Sequence, residues 1–484
     1  MEIRRDRQYR HQRLDGSGAD RPSALPVSGH PVCWSGAQGF RLSDAPEEFA
    51  VGVLERRAPY GDSPVVGERG TKTQQRILRA ALAVFDEVGY HDCSVDRIAA
   101  SASCSRPSFY QYFSTKEDLF GHLVGELSRR IGEITHSMDR ITPDQEGWES
   151  IYSWVIAFGE IYDVFRPVFA VFEGAVAEDP AVGLGAERFF DRQAADLLSH
   201  IDRRAFRLRR PQVIVALLFP TVARTFRYRQ LLGGTSSGIG ALGRDRVERA
   251  LTDVLHRTFV GQLPGVNVRP HIAHGTLVRR ATPRPYGPVT DSLTPAGRKT
   301  RTRLLEAARR VITARGYHDA RVDDIVELAE TSHGTFYRYF DNKEELFRVL
   351  AGHSEAVLTC VVDDLPEAMK FSSASGGSAG LRRWVRRYLE VFAAEGPVLQ
   401  AWLEGMWVDR DLRLIARSEI ETLWLRLAGF LDPRDFGDVD SDALVLLSLL
   451  DRVEPKSGIE GSVDPAVVIA LSQVLTRGFL LRSG

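Results

Sequence analysis

Hydrophobic residues recur along this chain at intervals of three and four. Ile77, Leu78, Ala81, Leu82, Val84 and Phe85 fall on one face of a helix. Gly89 follows them, the residue type best suited to a helix's C-terminal end. The same period predicts helices over 148–178, 184–204, 211–232 and 244–261. It continues over 379–395, 397–408, 410–432, 440–453 and 464–481. No run alternates between polar and apolar residues as a half-buried strand would. The expected fold class is all-α.

The pattern is duplicated. Lys72 to Leu123 aligns without a gap to Lys299 to Leu350 at a constant offset of 227, and about half of those positions are identical. Gly89-Tyr90-His91-Asp92 returns as Gly316-Tyr317-His318-Asp319. Fainter echoes follow. Pro167-Val168-Phe169 to Glu173-Gly174 resembles Pro397-Val398-Leu399 to Glu404-Gly405, and Ala250-Leu251 to Phe259 resembles Ala470-Leu471 to Phe479. Two whole units are therefore repeated. Each should hold a small N-terminal block and a larger helical body.

Within the first block, Ser94 can cap a short helix running to Ser101, because a hydroxyl there accepts a bond from a free backbone N–H. Ala102-Ser103-Cys104 makes a tight turn, and Ser105 caps a second helix, Arg106 to Phe113. Pro107 falls in that helix's first turn, where a missing N–H costs nothing. Two short helices about a three-residue turn predict a helix-turn-helix. In the second unit Arg321 stands where Ser94 would cap, so its first short helix lacks this support.

These residues carry a family resemblance. Ile98-Ala99-x-x-Ala102-x-x-Ser105-Arg106-Pro107-Ser108-Phe109-Tyr110-x-Tyr112-Phe113-x-x-Lys116-Glu117-x-Leu119 resembles the DNA-binding motif of TetR/AcrR transcriptional regulators. Ile325 to Leu346 resembles it again, making the chain a tandem. The family usually has Gly in the turn, where this chain has Ser103 and Glu330. The resemblance implies two homologous units. Each would have an N-terminal three-helix DNA-binding domain and a C-terminal helical ligand-binding and dimerisation domain. The expected domains are an extension over 1–69, a first reader over 70–123 and its body over 124–261. A Pro- and Arg-rich linker follows over 262–296, then a second reader over 297–350 and its body over 351–484.

By resemblance, Ser105, Ser108, Tyr110, Tyr112 and Lys116 hold the DNA backbone, while Arg106 and Pro107 face bases. Short hydroxyls at a helix N-terminus suit phosphate, and Arg suits guanine O6 and N7. The counterparts are Ser332, His333, Gly334, Thr335, Tyr337, Tyr339 and Lys343. Phosphate-type positions are kept between repeats, whereas Arg106 becomes His333, Pro107 becomes Gly334 and Gln111 becomes Arg338. One chain thus supplies two unlike readers, which predicts an intramolecular pseudo-dimer on an asymmetric double-stranded DNA operator. A further homodimer of the whole chain stays open. The final helices, 244–261 and 464–481, with the helices before them, are the expected four-helix interface.

The bodies are rich in rings. Phe158, Tyr162, Phe169 and Glu173 in the first, and Tyr388, Trp402 and Glu404 in the second, are candidate contacts for an apolar small-molecule effector. Ordinary core packing explains the rings equally well.

Composition adds limits. The 484 residues hold 63 basic and 64 acidic side chains, so any charge for nucleic acid must be arranged locally. The four cysteines show no zinc spacing, and read as free thiols of a cytoplasmic protein; a Cys93–Cys104 switch is a weaker reading. There is no Gly-rich phosphate loop, nucleophile elbow or metal-spaced cluster. The expectation is no enzyme, no cofactor, no metal and no membrane span. The expected function is a ligand-released repressor. The alternative class is a ligand-binding or protein-interaction module whose readers have degenerated.

Overall fold

The computed structural model describes residues 68–90, 92–178, 180–201, 208–233, 242–261, 293–366, 368, 378–405, 410–431, 438–451 and 463–480. Most of the expected extension and linker, 1–67 and 262–292, lies outside them. Among the described residues the regular elements are helices, and a single isolated bridge joins Ile141 and Ile201.

The first repeat contains α1 (Glu68–Val88), α2 (Val95–Ser101), α3 (Arg106–Tyr110), α4 (Lys116–His136), α5 (Gln145–Glu178), α6 (Pro180–Ser199), α7 (Pro211–Leu232) and α8 (Arg244–Phe259). The second contains α9 (Pro295–Asp319), α10 (Val322–Leu328), α11 (His333–Phe336), α12 (Lys343–Asp363), α13 (Ser378–Gly405), α14 (Arg410–Phe430), α15 (Val439–Leu450) and α16 (Pro465–Val474). α1 ends at Gly89, whose φ of 79° only glycine adopts without strain, and Gly316, at φ 72°, kinks α9 at the matching place, three residues before its end. α9 starts at Pro295 under a Thr294 cap, inside the expected linker.

Several predicted boundaries shift. The helix from Arg106 stops at Tyr110 rather than Phe113, because Gln111 and Tyr112 donate to carbonyls three residues back and tighten the last turn. The helices expected over 379–395 and 397–408 are one, α13, which passes through Pro397. Buried Glu395, Val398 and Ala401 hold both flanks of that proline in place. α16 gives way at Leu475 to a π turn running to Leu480, where a Cβ on Gly478 would sit only 3.1–3.2 Å from Thr258 and Val254.

Each reader has its own core. Ile77, Leu78, Ile98, Phe109, Phe113 and Leu119 are buried in the first, and Leu304, Ile325, Phe336, Phe340 and Leu346 in the second. Asp86 ties the first reader to its body through Arg166, with Nε–Oδ1 2.9 Å. The second reverses the polarity: Arg309 on α9 forks onto buried Glu395 at 2.7 and 2.8 Å. Ser354 donates to the same carboxylate at 2.6 Å.

α7 and α8 pack against α15 and α16, so the two repeats meet where the sequence placed a four-helix interface. α15 is apolar on nearly every side, and all its residues but Asp440 are buried. Charged groups rim the junction in one polarity. Arg246 meets Asp438 at 2.7 Å and Asp440 at 3.7 Å, Arg257 meets Asp442 at 3.6 Å, and Arg227 meets Asp451 at 3.2 Å.

Candidate nucleic-acid interface

In the first reader Ser94 adopts extended backbone and its hydroxyl accepts from Arg97 N–H at 3.3 Å. Ser105 does the same for Ser108 N–H at 3.2 Å, so this hydroxyl is engaged in capping α3. The turn between them places Ser103 at φ 51°. Phe109 and Phe113 are 0% and 1% exposed and form the platform under α3. What remains outside is a compact polar face: Arg106, Pro107, Ser108 and Tyr110 are exposed or half-buried, with Tyr112 half-buried beside them. The Arg106 guanidinium lies 3.2 Å from Asp96 and 5.8 Å from the Tyr110 ring centre.

The second reader repeats this geometry with different chemistry. Ser332 caps α11 through Thr335 N–H at 3.2 Å, and Glu330 takes the turn at φ 48°. His333 pairs with Asp323, the counterpart of Asp96 at the same offset of 227. Tyr337 is 55% exposed against 39% for Tyr110. A Cβ at Gly334 would meet the Ser332 hydroxyl at 3.9 Å, an ordinary contact, and the Tyr339 hydroxyl sits beside Gly297 at the start of α9. α10 forms over seven residues like α2, although Arg321 gives no side-chain cap. Asp323 and Asp324 in its first turn favour the positive end of the helix, which offsets the missing hydroxyl.

Lys116 and Lys343, expected at the DNA backbone, engage loop carbonyls in the chain without DNA. The Lys116 ammonium donates to the Tyr90 and Cys93 carbonyls at 2.8 and 3.2 Å and lies 4.3 Å from the Tyr90 ring centre. Lys343 donates to the Tyr317 carbonyl at 3.0 Å and lies 4.6 Å from that ring, and burial lowers its pKa. Both stitch the start of the fourth helix to the loop after the first, because unsatisfied loop carbonyls lie closer than solvent. Charge is also less local than a DNA reader suggests. Over 70–123, six Lys and Arg face six Asp and Glu. Some of that acid is engaged: Glu87 meets Arg97 at 2.9 Å, and Asp96 holds Arg106. Cys93 and Cys104 are free thiols whose pKa values burial raises, which leaves little thiolate for a redox switch.

The expected effector contacts separate. Phe158 and Tyr162 are buried, with Phe169 packed 6.0 and 5.1 Å from them, and Phe226 stacks on Tyr162 at 5.7 Å. They fill the first body. Tyr388 instead lines a cavity of about 740 Å³ in the second body, part of which is open to solvent. The side chains of Glu173, Trp402 and Glu404 lie outside the described residues. Sequence reasoning missed the other polar groups of this cavity, Tyr228, Glu355, Glu419 and Asp451. Only Asp451 left a trace, as an acid directly after the apolar run Leu449-Leu450.

Among the described residues no cluster of His, Cys, Asp and Glu could hold a metal, and no helix is long and apolar enough to cross a membrane. Residues 77–123 and 304–350 both match the tetR family of bacterial regulatory proteins. An uncharacterised HTH-type transcriptional regulator of Bacillus subtilis, YdgC, is 36% identical over 70 residues, which are 14% of this chain and 36% of that protein. The HTH-type transcriptional repressor AcnR of Corynebacterium glutamicum is 33% identical over 72 residues, 15% of this chain and 38% of AcnR. The match therefore spans little more than a third of either relative. A solved tetR-family regulator from Streptomyces coelicolor aligns at 19% identity with a TM-score of 0.30, covering 38% of this chain and 80% of its own.

Proposed function

Because this chain carries the tetR-family domain twice, at residues 77–123 and 304–350, we propose that it is a DNA-binding transcriptional regulator whose two readers act as an intramolecular pseudo-dimer. The carrying observation is the pair of short helices α3 and α11. Each is capped by a serine and seated on two buried phenylalanines, and each presents a different side chain, Arg106 or His333. Such a helix presents its N-terminal residues to the edges of bases in the major groove. Ser108, Thr335, Tyr110 and Tyr337 surround it with hydroxyls suited to phosphate oxygens.

Two unlike readers fit an operator with two unlike half-sites. The junction formed by α7, α8, α15 and α16 supports pairing within one chain, since its two sides carry opposite charge. The regulator works in the cytoplasm, where its DNA is. It acts as a repressor, as AcnR is named, and a small molecule bound in a body releases it by favouring a reader spacing that no longer fits successive grooves. A gel-shift titration with the DNA upstream of its own gene tests the reading. Sequence-specific, salt-dependent binding is expected, with footprinting over two dissimilar half-sites. Absence of specific binding, or protection of a perfect palindrome by two chains, refutes it.

A further inference from the structure

The cavity of the second body differs from its surroundings in shape and charge. The first body is packed with rings: Trp154 to Phe158 at 5.3 Å, Phe158 to Phe219 at 5.9 Å and Tyr162 to Phe226 at 5.7 Å. The space left beside them is about 310 Å³, part of it open to solvent, and among the described residues no charged side chain lines it. The second body has fewer rings here and opens into about 740 Å³, part of it continuous with solvent. Its walls are mostly Leu, Val and Ile, with the rings of Tyr228, Tyr388 and Phe392.

The charge on this lining has one sign. Glu355, Glu419 and Asp451 line the cavity, and among the described residues no Lys, Arg or His does. Asp451 is engaged by the Tyr228 hydroxyl at 2.7 Å and by Arg227. Glu355 accepts from Thr359 at 2.8 Å, while Arg426, which acts on it electrostatically, forks onto Asp363 at 2.8 and 2.9 Å. Burial raises the Glu355 pKa, so its charged form lacks full compensation. A positive ligand would supply what is missing, and the tyrosine and phenylalanine faces attract the same charge. The Tyr388 hydroxyl is turned away, donating to the Leu450 carbonyl, which leaves its ring as the cavity wall.

We propose that this cavity is a binding site for one lipophilic cation per chain, held by Glu355 and the aromatic faces. Tyr228 comes from the first repeat and Asp451 closes α15, so an occupant touches both sides of the junction at once. That contact gives a ligand differential affinity for two arrangements of the repeats, which release requires. This regulatory step rests on the regulator reading above; the binding site itself does not.

Calorimetry of the full chain without DNA tests the site, using tetraphenylphosphonium and its isosteric anion tetraphenylborate. One phosphonium per chain is expected, with the borate bound at least about tenfold more weakly. Glu355→Gln preserves shape and should weaken phosphonium binding about tenfold, with an unchanged unfolding midpoint. Leu423→Trp should abolish it by filling the cavity. Two equivalents per chain, equal or tighter borate binding, or an unaltered Glu355→Gln affinity each overturns the proposal. Failure of the regulator reading shows separately, as absence of a gel shift before any phosphonium is added.

Discussion

Arg246 and Asp438 face each other across the junction as a two-pronged pair, with Nε–Oδ2 and Nη2–Oδ1 both 2.7 Å. Asp438 is 12% exposed, and Asp440 stands 3.7 Å from the same guanidinium. Reversing the arginine therefore sets three carboxylates together with little water to screen them. Arg246→Asp should destabilise the chain by about 3–5 kcal/mol, read from denaturant midpoints. Adding Asp438→Arg should recover most of that loss. Recovery stays incomplete because Asp438 also caps α15, accepting from the Ser441 hydroxyl at 2.9 Å and its N–H at 3.3 Å.

The polarity of the junction has a consequence for assembly. Arg227, Arg246 and Arg257 lie on the first repeat, and Asp438, Asp440, Asp442 and Asp451 on the second. Arg224, whose guanidinium reaches the Asp451 carbonyl, adds another arginine on the side of the first repeat. Pairing like repeats from two chains would bring arginine to arginine or aspartate to aspartate. Sedimentation should therefore find the operator complex to hold one chain of 54.0 kDa. A complex of two chains contradicts the intramolecular pairing.

The turns of both readers carry residues that their backbone disfavours. Ser103 and Glu330 sit at φ 51° and 48°, where a side chain crowds the following carbonyl. Ser103→Gly and Glu330→Gly should each stabilise by up to about 1 kcal/mol, since the strain relieved exceeds the entropy glycine adds to the unfolded chain. Thermal unfolding of the single and double variants measures this. A loss of stability would mean that the side chains hold the turn by contacts stronger than the strain.

The readers are legible in the sequence because their determinants are local. Ser94, Ser105, Pro107 and the paired phenylalanines act within one or two turns of helix, so spacing alone reveals them. The lysines have partners that such spacing does not show. Lys116 and Lys343 sit at helix starts suited to phosphate, yet their partners are carbonyls 23 and 26 residues away for Lys116 and 26 for Lys343. The cavity is less legible still, because Tyr228, Glu355, Tyr388, Glu419 and Asp451 come together from separate helices and one chain end of α15. Rings in the bodies suggested a pocket in both, and the first body uses Phe158, Tyr162 and Phe169 to fill itself instead.

Those geometries separate two kinds of reader variant. Arg106→Ala should relax sequence preference in one half-site, and His333→Ala in the other, as footprints on half-site mutants would record. Lys116→Met should act differently. It leaves the Tyr90 and Cys93 carbonyls without their donor and should cost about 1–3 kcal/mol of stability. The salt dependence of DNA binding should stay as in the parent chain, because no phosphate contact is removed. A shallower salt slope at unchanged stability would return Lys116 to the phosphate backbone.

Acid should weaken the first reader through Asp118. Burial alone would raise this carboxyl, but His122 and the Ser114 N–H and hydroxyl outweigh it and hold its pKa at about 2. Ser114 donates from N–H and hydroxyl at 2.8 and 3.0 Å, while Asp118 N–H donates to Thr115 at 3.1 Å, a reciprocal cap on α4. An aspartate in the unfolded chain titrates near 3.9. The folded state therefore binds the proton less readily. Its stabilisation is complete above about pH 5 and disappears as the pH falls through 4 towards 2. The loss should be on the order of 1–2 kcal/mol. Asp118→Asn keeps the shape of the cap without the charge, so it should be less stable than the parent chain at pH 6 and approach it at pH 2–3. Thermal midpoints of the two chains that stay equally far apart across that range would show that Asp118 stabilises α4 by shape alone.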